Sequence, residues 1–254
     1  MKSVPLFCIF LLTAHLAFPQ AIVSKVYSWE RLLAEKNTGY VERMVFDGSA
    51  KGFSNISLQT VTLLANQPSQ PAQQLDEEAL VIVKEGELAL TLGQKKKALG
   101  PGSITLLMPG DFFQLENKAS QPLTYYFLRC TSNEVPDLDL YRLAGNSFWV
   151  DWHDVPYTSI TQGGIRELFD GATIMAKRLK IDMITLTPGS STPASQSHSA
   201  GKVLVIIDNP VQVTIDEVPH KAEAGDVVFL GAESAHLIQN TGSSKCTYLS
   251  VQLE

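Results

Sequence analysis

The sequence predicts an all-β protein built from two tandem β-barrels or sandwiches, and three observations support that fold class. Residues of unlike type recur at an offset of 123 positions, among them Trp29 with Trp152 and Asn117 with Asn240. Short β-branched runs alternate with tight turns along both halves. Helical periodicity is weak throughout. Many short strands with close turns are typical of sandwiches and barrels, and a register shared by unlike residues indicates two copies of one fold.

The repeat also sets the expected domain limits. Further recurring pairs are Arg43 with Arg166, Phe46-Asp47-Gly48 with Phe169-Asp170-Gly171, Gln73 with Gln196, and Gly102 with Gly225. We therefore divide the chain into a leader of residues 1–20, an N-terminal barrel of residues 21–134 and a C-terminal barrel of residues 135–254. The connector is expected from Ser132 to Ser147.

Apolar runs give the strands. The continuous runs Leu80 to Val83 and Val203 to Ile207 predict strands that are buried on both faces. Further strands are predicted at Leu88 to Leu92, Ile104 to Leu107, Tyr125 to Arg129, Val211 to Ile215, Val227 to Leu230 and Tyr248 to Gln252. The best candidate for a helix is the segment from Trp29 to Glu35.

The first twenty residues have the pattern of a secretory signal peptide. Lys2 precedes an apolar run from Leu6 to Leu12, and small residues follow from Ala14 to Ala21. The run is too short for a convincing membrane span. We expect removal of this leader, export to a periplasm or beyond, and no membrane span in the mature chain.

Composition narrows the range of partners. The formal net charge is −6 and no basic stripe is present, so nucleic acid is not an expected partner. Cys130 and Cys246 occupy non-equivalent places in the two copies and belong to no CxxC pair. We expect two buried free thiols and no zinc or redox motif.

Two segments of the C-terminal copy resemble the motifs of the cupin family. The stretch from Ala224 to Asn240 is similar to the second motif: a Gly-Asp turn, an apolar strand, a loop, His236 and a turn-capping Asn. The stretch from Gln196 to Lys202 is similar to the first motif, usually His-x-His, three or four residues, then Glu. The N-terminal copy resembles both. The chain is therefore identified as a bicupin, which implies two jelly-roll barrels, each a double-stranded β-helix.

The resemblance implies a site in the C-terminal barrel. Residues two apart on a strand share a face, so Gln196 and His198 would point into the barrel while His236 approaches from another strand. Imidazole nitrogens suit manganese, iron, nickel or zinc. However, Gln196 stands at the place of the first His, and Gly201 or Lys202 at the place of the acidic ligand. A Lys202 ammonium that faces inward would repel a cation. Metal binding and a site filled by hydrogen bonds both stay open.

The N-terminal copy lacks that ligand set. Phe113 stands where His236 stands, and Gln73-Gln74-Leu75-Asp76 replaces the expected histidines, which leaves Glu77 or Glu78 as the only acidic ligand. We expect no metal in this barrel. It is either a filled core or an apolar pocket lined by Phe113 and neighbours such as Phe112.

Two further candidates, the Arg178–Asp182 pair and Glu233, each have two possible roles. Arg178 and Asp182 lie two strand steps apart and would share the inner wall and bind a carboxylate-bearing ligand, or they belong to a solvated outer face. Glu233 would supply the missing carboxylate or is simply exposed. Arg43 and Arg166 are expected to hold the Phe-Asp-Gly turns through charge-assisted hydrogen bonds.

Two functions from different classes are consistent with these residues. The first is an exported bicupin that binds a small polar molecule in its C-terminal barrel, with Gln196, His198, Lys202 and His236 as hydrogen-bonding walls. The second is a metal-dependent hydrolase, isomerase or dioxygenase that uses His198 and His236. A structural bicupin without a ligand stays open.

Neither function comes with an assigned catalytic residue. The layout is distantly similar to that of (S)-ureidoglycine aminohydrolase, a bicupin enzyme whose ligand pattern is largely replaced here. No nucleophile elbow is present. Cupin barrels often pair through exposed sheet edges, so the resemblance also implies a homodimer.

Overall fold

The structure is a computed structural model that describes residues 20–69, 71–136, 139, 146–193 and 200–254. Strands dominate both copies. The N-terminal copy contains β1 (Lys25–Tyr27), β2 (Glu35–Lys36), β3 (Tyr40–Ala50), β4 (Phe53–Leu63), β5 (Glu78–Glu85), β6 (Leu88–Leu92), β7 (Lys95–Leu99), β8 (Ile104–Leu107), β9 (Phe113–Glu116) and β10 (Leu123–Ser132). The C-terminal copy contains β11 (Phe148–Val150), β12 (Thr158–Ile160), β13 (Gly163–Gly171), β14 (Leu179–Leu186), β15 (Gly201–Asp208), β16 (Val211–Ile215), β17 (Val218–Ala222), β18 (Val227–Leu230), β19 (His236–Gln239) and β20 (Cys246–Leu253).

The repeat register is preserved in three dimensions. The strands from β5 to β9 have the same limits as those from β15 to β19 once the offset of 123 positions is applied. The predicted strands at β6, β8, β16 and β18 are confirmed to the residue, and the other predicted strands lie within slightly longer ones. The all-β, duplicated fold class is therefore confirmed.

The predicted helix from Trp29 to Glu35 is wrong. The segment forms a single 3-10 turn at Trp29–Arg31, and Leu32 is already extended, with φ −72° and ψ 126°. One turn is too short to propagate a helix by itself, and the backbone N–H of Trp29 donates instead to Asp226 Oδ1 of the other copy, at 2.8 Å. An equivalent turn occupies Trp152–Asp154.

Each barrel is formed by a seven-stranded sheet that faces a three-stranded sheet. The N-terminal barrel has the strand orders β11-β8-β5-β10-β4-β3-β2 and β7-β6-β9. The C-terminal barrel has the orders β1-β18-β15-β20-β14-β13-β12 and β17-β16-β19. The described neighbouring strands in these sheets pair antiparallel, as in a jelly roll.

The two copies exchange their first strands. β1 of the N-terminal copy pairs with β18, placing Val26 opposite Val228, and β11 of the C-terminal copy pairs with β8, placing Trp149 opposite Thr105. Each exchanged strand covers what would otherwise be the open edge of the other copy's large sheet. β1 and β11 therefore each belong to the large sheet of the other copy.

The large sheets are buried on both faces, as predicted for β5 and β15. On β5, Leu80 and Ile82 join a core between the two barrels, whereas Val81 and Val83 join the core inside the N-terminal barrel. This alternation follows from the two-residue period of a strand. Among the described residues, three apolar cores result: one inside each barrel and one between them.

The duplicated asparagines cap equivalent turns. Asn240 Nδ2 donates to the carbonyls of Leu186 at 3.0 Å and Ser244 at 2.8 Å, and its Oδ1 accepts from the backbone of Gly242. Asn117 makes the corresponding bonds in the other copy, including one to Gln121 O at 2.8 Å. The turn-capping role implied by the family resemblance is therefore present in both barrels.

The duplicated arginines do not have the role that we predicted. Arg43 stacks over the ring of Trp29, with 4.8 Å from Cζ to the ring centroid, and Arg166 stacks over Trp152 at 5.1 Å. The Phe-Asp-Gly segments are not turns either, because they lie in β3 and β13 beside bulges in the register. The face of an indole ring attracts a guanidinium, so the tryptophan ring takes the place of the expected carboxylate partner.

Several predictions concern segments at the margins of the structure. The predicted signal peptide, residues 1–20, lies outside the described residues except for its last residue, and much of the predicted connector also lies outside them. Within the described ranges, no helix has the length and apolar character required to cross a membrane. Cys130 and Cys246 are both buried free thiols.

Candidate functional site

Lys202 points into the C-terminal barrel. On β15, Val203 packs in the core between the barrels and Leu204 packs in the core of the C-terminal barrel. Lys202 shares the face of Leu204, because side chains alternate along a strand. Burial lowers the pKa of Lys202, and the nearby carboxylate of Asp182 acts in the opposite direction. The equivalent residue of the other copy is Ala79, so this ammonium is particular to the C-terminal barrel.

Asp182 faces the same interior from β14. It lies opposite Ser250 of β20 and shares its face with Ile184, which packs against the core of the C-terminal barrel. Lys180 Nζ is 3.6 Å from Asp182 Oδ2, whereas Oδ1 is buried and has no hydrogen-bond partner among the described residues. Burial raises the pKa of Asp182, and Lys180 opposes that shift.

Tyr248 is the site residue that sequence reasoning missed. It lies on β20 opposite Ile184 on one side and Ile206 on the other, on the inward face. Its hydroxyl is buried and, within the described part of the chain, has no hydrogen-bond partner. Burial, and secondarily Cys246, raises the pKa of Tyr248. The available signal was the repeat itself, which places Tyr125 at the equivalent position.

His236 begins β19 and is buried, with 8% of its surface exposed. Its Nδ1 lies 3.1 Å from the carbonyl oxygen of Ser234. A carbonyl can only accept, so Nδ1 is the donor; in the neutral ring, Nε2 would carry the lone pair. In metal sites, a hydrogen bond of this kind, made by the ring nitrogen that does not bind the metal, orients the imidazole.

Gln196 and His198, the remaining predicted wall residues, lie outside the described residues. The repeat still offers a comparison. In the N-terminal copy, Gln73 and Phe113 form an antiparallel bridge, with N–O distances of 2.8 Å and 3.0 Å between their backbones. These two residues are the equivalents of Gln196 and His236.

Arg178 is committed to a different partner from the one predicted. Its guanidinium makes a bidentate ion pair with Asp170, with both N–O distances at 2.7 Å. About half of the Arg178 side chain is exposed. This pair and Lys180 hold the pKa of Asp170 down at about 2. Arg178 and Asp182 are therefore not brought together. The guanidinium of Arg178 is bound in an exposed bidentate pair outside the barrel interior.

Glu233 does not face the barrel. Its carboxylate pairs with Lys51 of the N-terminal copy at 3.1 Å, and 71% of the side chain is exposed. The exposed reading of this residue is the one that the structure supports.

The donor groups that the structure describes in this barrel do not by themselves fit a transition metal. The described inward-facing groups are the imidazole of His236, the carboxylate of Asp182 and the ammonium of Lys202. Over the described ranges, no three His, Cys, Asp or Glu side chains cluster closely enough to hold an ion. Three such ligands are the usual minimum for a catalytic metal, and a neighbouring ammonium opposes a cation.

The N-terminal barrel contains an open cavity of about 620 Å³. Phe113 lines it, as one of our alternatives predicted, but Phe112 does not and is 57% exposed. The remaining acidic residues of the ligand set are engaged elsewhere: Glu77 pairs with Arg129 at 3.0 Å, and Glu78 accepts from the backbone N–H of Met175 in the other copy. The cavity walls combine apolar, aromatic and polar side chains.

Comparison with known proteins agrees with this architecture. The cupin domain family matches residues 182–252, which form most of the C-terminal barrel. No curated protein sequence matches the chain. Residues 182–252 therefore carry a cupin domain, and both barrels have the cupin fold.

Solved structures resemble both barrels together. Protein Ylba from E. coli superimposes with a TM-score of 0.70 at 14% identity, covering 90% of this chain and 90% of that chain. Oxalate decarboxylase from Lactobacillus farciminis, in a formate complex, gives 0.68 at 11% identity, covering 93% and 88%. A putative glyoxylate-induced protein from Pseudomonas aeruginosa gives 0.66 at 20% identity, covering 87% and 83%. At these identities the similarity establishes the fold alone.

Proposed function

We propose that the C-terminal barrel binds a small polar molecule. The observation that carries the proposal is the inward-facing Lys202 ammonium near Asp182, with Tyr248 on the other side of Asp182. Asp182 and Tyr248 each have a buried oxygen without a hydrogen-bond partner among the described residues. A ligand that accepts from Lys202 and donates to Asp182 would complete these interactions.

Energetics favour a bound ligand over an inert core. A buried hydroxyl without a partner costs about 1–3 kcal/mol and a buried charge costs more, so groups of this kind are usually paired or serve a function. In the N-terminal barrel, Ala79 and Gln59 stand at the positions of Lys202 and Asp182. The two ionisable groups are therefore not required to form the barrel itself.

The predicted wall residues are consistent with the same site. Gln196 and His236 are the repeat equivalents of Gln73 and Phe113, whose backbones form a bridge in the N-terminal copy. His198 would share the inward face with Gln196. Arg178 is left out of the proposed wall because it is paired with Asp170.

Isothermal titration calorimetry with a panel of small carboxylic acids and amides tests this function. Lys202→Met keeps the length of the side chain and removes the charge, so binding should be lost while thermal stability stays equal or rises. Lys221→Met is the matched control, because Lys221 is an exposed strand residue that pairs with Glu223 at 2.6 Å. Loss of stability in Lys202→Met without loss of binding would show that the ammonium is structural.

A metal-dependent bicupin enzyme is the second candidate, favoured by the hydrogen bond from His236 Nδ1 to Ser234 O. His236 would offer Nε2 to the ion, together with His198 and Gln196, and manganese, iron, nickel or zinc would act there as a Lewis acid. Elemental analysis of protein purified without chelators decides between the candidates. Stoichiometric metal that disappears in His236→Ala supports the enzyme; metal-free protein supports the binding function.

We also propose that the protein is exported after removal of residues 1–20 and that it pairs as a homodimer. Export rests on the leader pattern from Lys2 to Ala21, and pairing on the cupin resemblance. N-terminal sequencing of the mature protein tests the first, and light scattering during gel filtration tests the second.

A further inference from the structure

The cavity of the N-terminal barrel is built for a ligand of moderate size. Its volume of about 620 Å³ lies within the range of pockets that enclose small organic molecules. Its walls come from β3, β4, β9 and β10 and from the loop that follows β4. It is distinct from the proposed site, which lies in the other barrel.

Four aromatic rings line this cavity: Tyr40, Phe113, Tyr125 and Phe127. Tyr125 and Phe127 meet edge to face, with ring centroids 6.3 Å apart and an angle of 86° between the rings. Aromatic faces attract cations through the ring quadrupole, and best where water is excluded. The walls are therefore suited to an apolar body that carries positive charge.

The uncompensated charge in the cavity is negative and so complements a cation. Glu116 is already compensated, because it accepts from Ser69 and pairs with Lys118 at 3.1 Å. Glu42 has no ion-pair or hydrogen-bond partner among the described residues. It also lies directly opposite Glu35 in the strand register. Like charges directly opposite each other destabilise a sheet, so the fold alone gives no reason for Glu42.

A second polar group points at the same space. Tyr125 lines the cavity and is only 7% exposed, and within the described residues its hydroxyl has no hydrogen-bond partner. It lies close enough to Glu42 for that carboxylate to add to the effect of burial in raising the pKa of Tyr125. The hydroxyl is therefore available to a ligand in the cavity.

The other copy lacks this combination. At the positions of Tyr40, Glu42 and Phe127, the C-terminal barrel has Gly163, Ile165 and Ser250. Two barrels with the same strand register therefore carry opposite chemistry, an inward ammonium in one and an aromatic cavity with a carboxylate in the other.

We propose that the N-terminal barrel binds a small organic cation, an amine or quaternary ammonium with an apolar body, using Glu42 as the counter-ion and Tyr40, Phe113, Tyr125 and Phe127 as an aromatic cage. The Tyr125 hydroxyl accepts from an N–H of an amine ligand. Binding relieves the repulsion between Glu42 and Glu35.

The test is calorimetric titration of the full chain with benzyltrimethylammonium, benzyl alcohol and benzoate, which share a ring and differ in charge. The cation should bind with one-to-one stoichiometry, and benzoate should not compete. Glu42→Gln keeps the shape and removes the charge, so it should weaken cation binding by about tenfold or more. Phe127→Leu should also weaken binding by removing one ring of the cage.

Two controls locate the effect. Glu87→Gln, at an exposed turn outside the cavity, and Lys221→Met, at an exposed position of the other barrel, should leave cation affinity unchanged. The proposal is overturned if wild-type protein shows no saturable binding of benzyltrimethylammonium, if benzoate binds as tightly, or if Glu42→Gln binds the cation as well as wild type. Thermal melts of each variant show that the fold is retained.

Discussion

The indole ring of Trp152 lies directly against Gly102, a residue of the other copy. A Cβ atom built on Gly102 would lie 3.0 Å from both Cδ1 and Nε1 of that ring. The relationship is reciprocal, because the nearest ring to Gly225 is that of Trp29. A tryptophan follows each exchanged strand, and its ring packs on the glycine turn of the other copy.

Gly102→Ala should destabilise the protein more than an equivalent change at a free turn. Gly102 has φ +88°, so alanine is strained there, and its Cβ would also collide with Trp152. We expect a loss of about 2–4 kcal/mol in the free energy of unfolding, measured by chemical denaturation. Gly52→Ala is the matched control: φ is +86° and no atom lies within 4 Å, so only the strain of about 1 kcal/mol applies. Equal losses would mean that the Trp152 contact contributes nothing.

Tyr126→Phe and Tyr125→Phe should differ although the residues are adjacent on β10. The buried hydroxyl of Tyr126 donates to Gly225 O at 2.8 Å across the barrel interface. Removing it leaves that carbonyl with one partner fewer and should cost about 1 kcal/mol in unfolding free energy. Tyr125 faces the N-terminal cavity instead, so its variant should stay within a few tenths of wild type. A larger loss of unfolding free energy in Tyr125→Phe than in Tyr126→Phe would contradict the assignment of the two residues to opposite faces of β10.

Glu78 should make stability depend on pH. Burial between the barrels raises the pKa of Glu78 from 4.5 to about 7, against weaker opposing hydrogen bonds from Thr173, Met175 and Ile174. The folded state therefore holds this proton more tightly than the unfolded chain. The contribution to stability is complete below pH 4.5 and is lost as the pH rises through 7, on the order of 3 kcal/mol.

Glu78→Gln tests that dependence, because glutamine stays neutral. Denaturant titrations between pH 4 and 8 should show a flatter profile for the variant and higher stability than wild type at pH 8. Glu77→Gln serves as the control, since Glu77 pairs with Arg129 and does not enter the inter-barrel core. An unchanged pH profile in Glu78→Gln would refute the assignment.

Asp182→Asn should lower the pKa of Lys202 further. The carboxylate of Asp182 supports the charged ammonium against burial, so its removal leaves desolvation unopposed. The ¹³Cε NMR signal of Lys202, followed against pH, measures the shift. Asp216→Asn, at an exposed turn, is the control and should not move it. An unchanged Lys202 pKa in Asp182→Asn would place the two groups apart.

Much of the fold could be predicted from local pattern. β6, β8, β16 and β18 follow the predicted limits because each is a short apolar run closed by turn residues. The helix predicted at Trp29 failed because its residues favour a helix only weakly, whereas the Trp29 N–H binds Asp226 of the other copy and the Trp29 ring stacks with Arg43. Long-range contacts of this kind leave no local trace in the sequence.

The candidate site shows the same division. Strand alternation predicts the inward direction of Asp182 once β14 is known, and the repeat identifies Lys202 as a departure from Ala79. Tyr248 was missed because a tyrosine in both copies looks like a core residue. Arg178 kept two readings, the inner wall or a solvated outer face, because sequence spacing does not show that Asp170 lies within reach of its guanidinium.

The sequence by itself determined two all-β units in one register, the cupin motifs and the contrast between His236 and Phe113. Those features are set by side-chain period, turn chemistry and the repeat, and all are local or periodic. The tertiary structure alone decided the exchange of β1 and β11, the stacking of Arg43 on Trp29, the burial of Glu78 and the charged or aromatic lining of each barrel. These depend on which surfaces two similar barrels press together and which they leave open, and that is fixed only when distant strands meet.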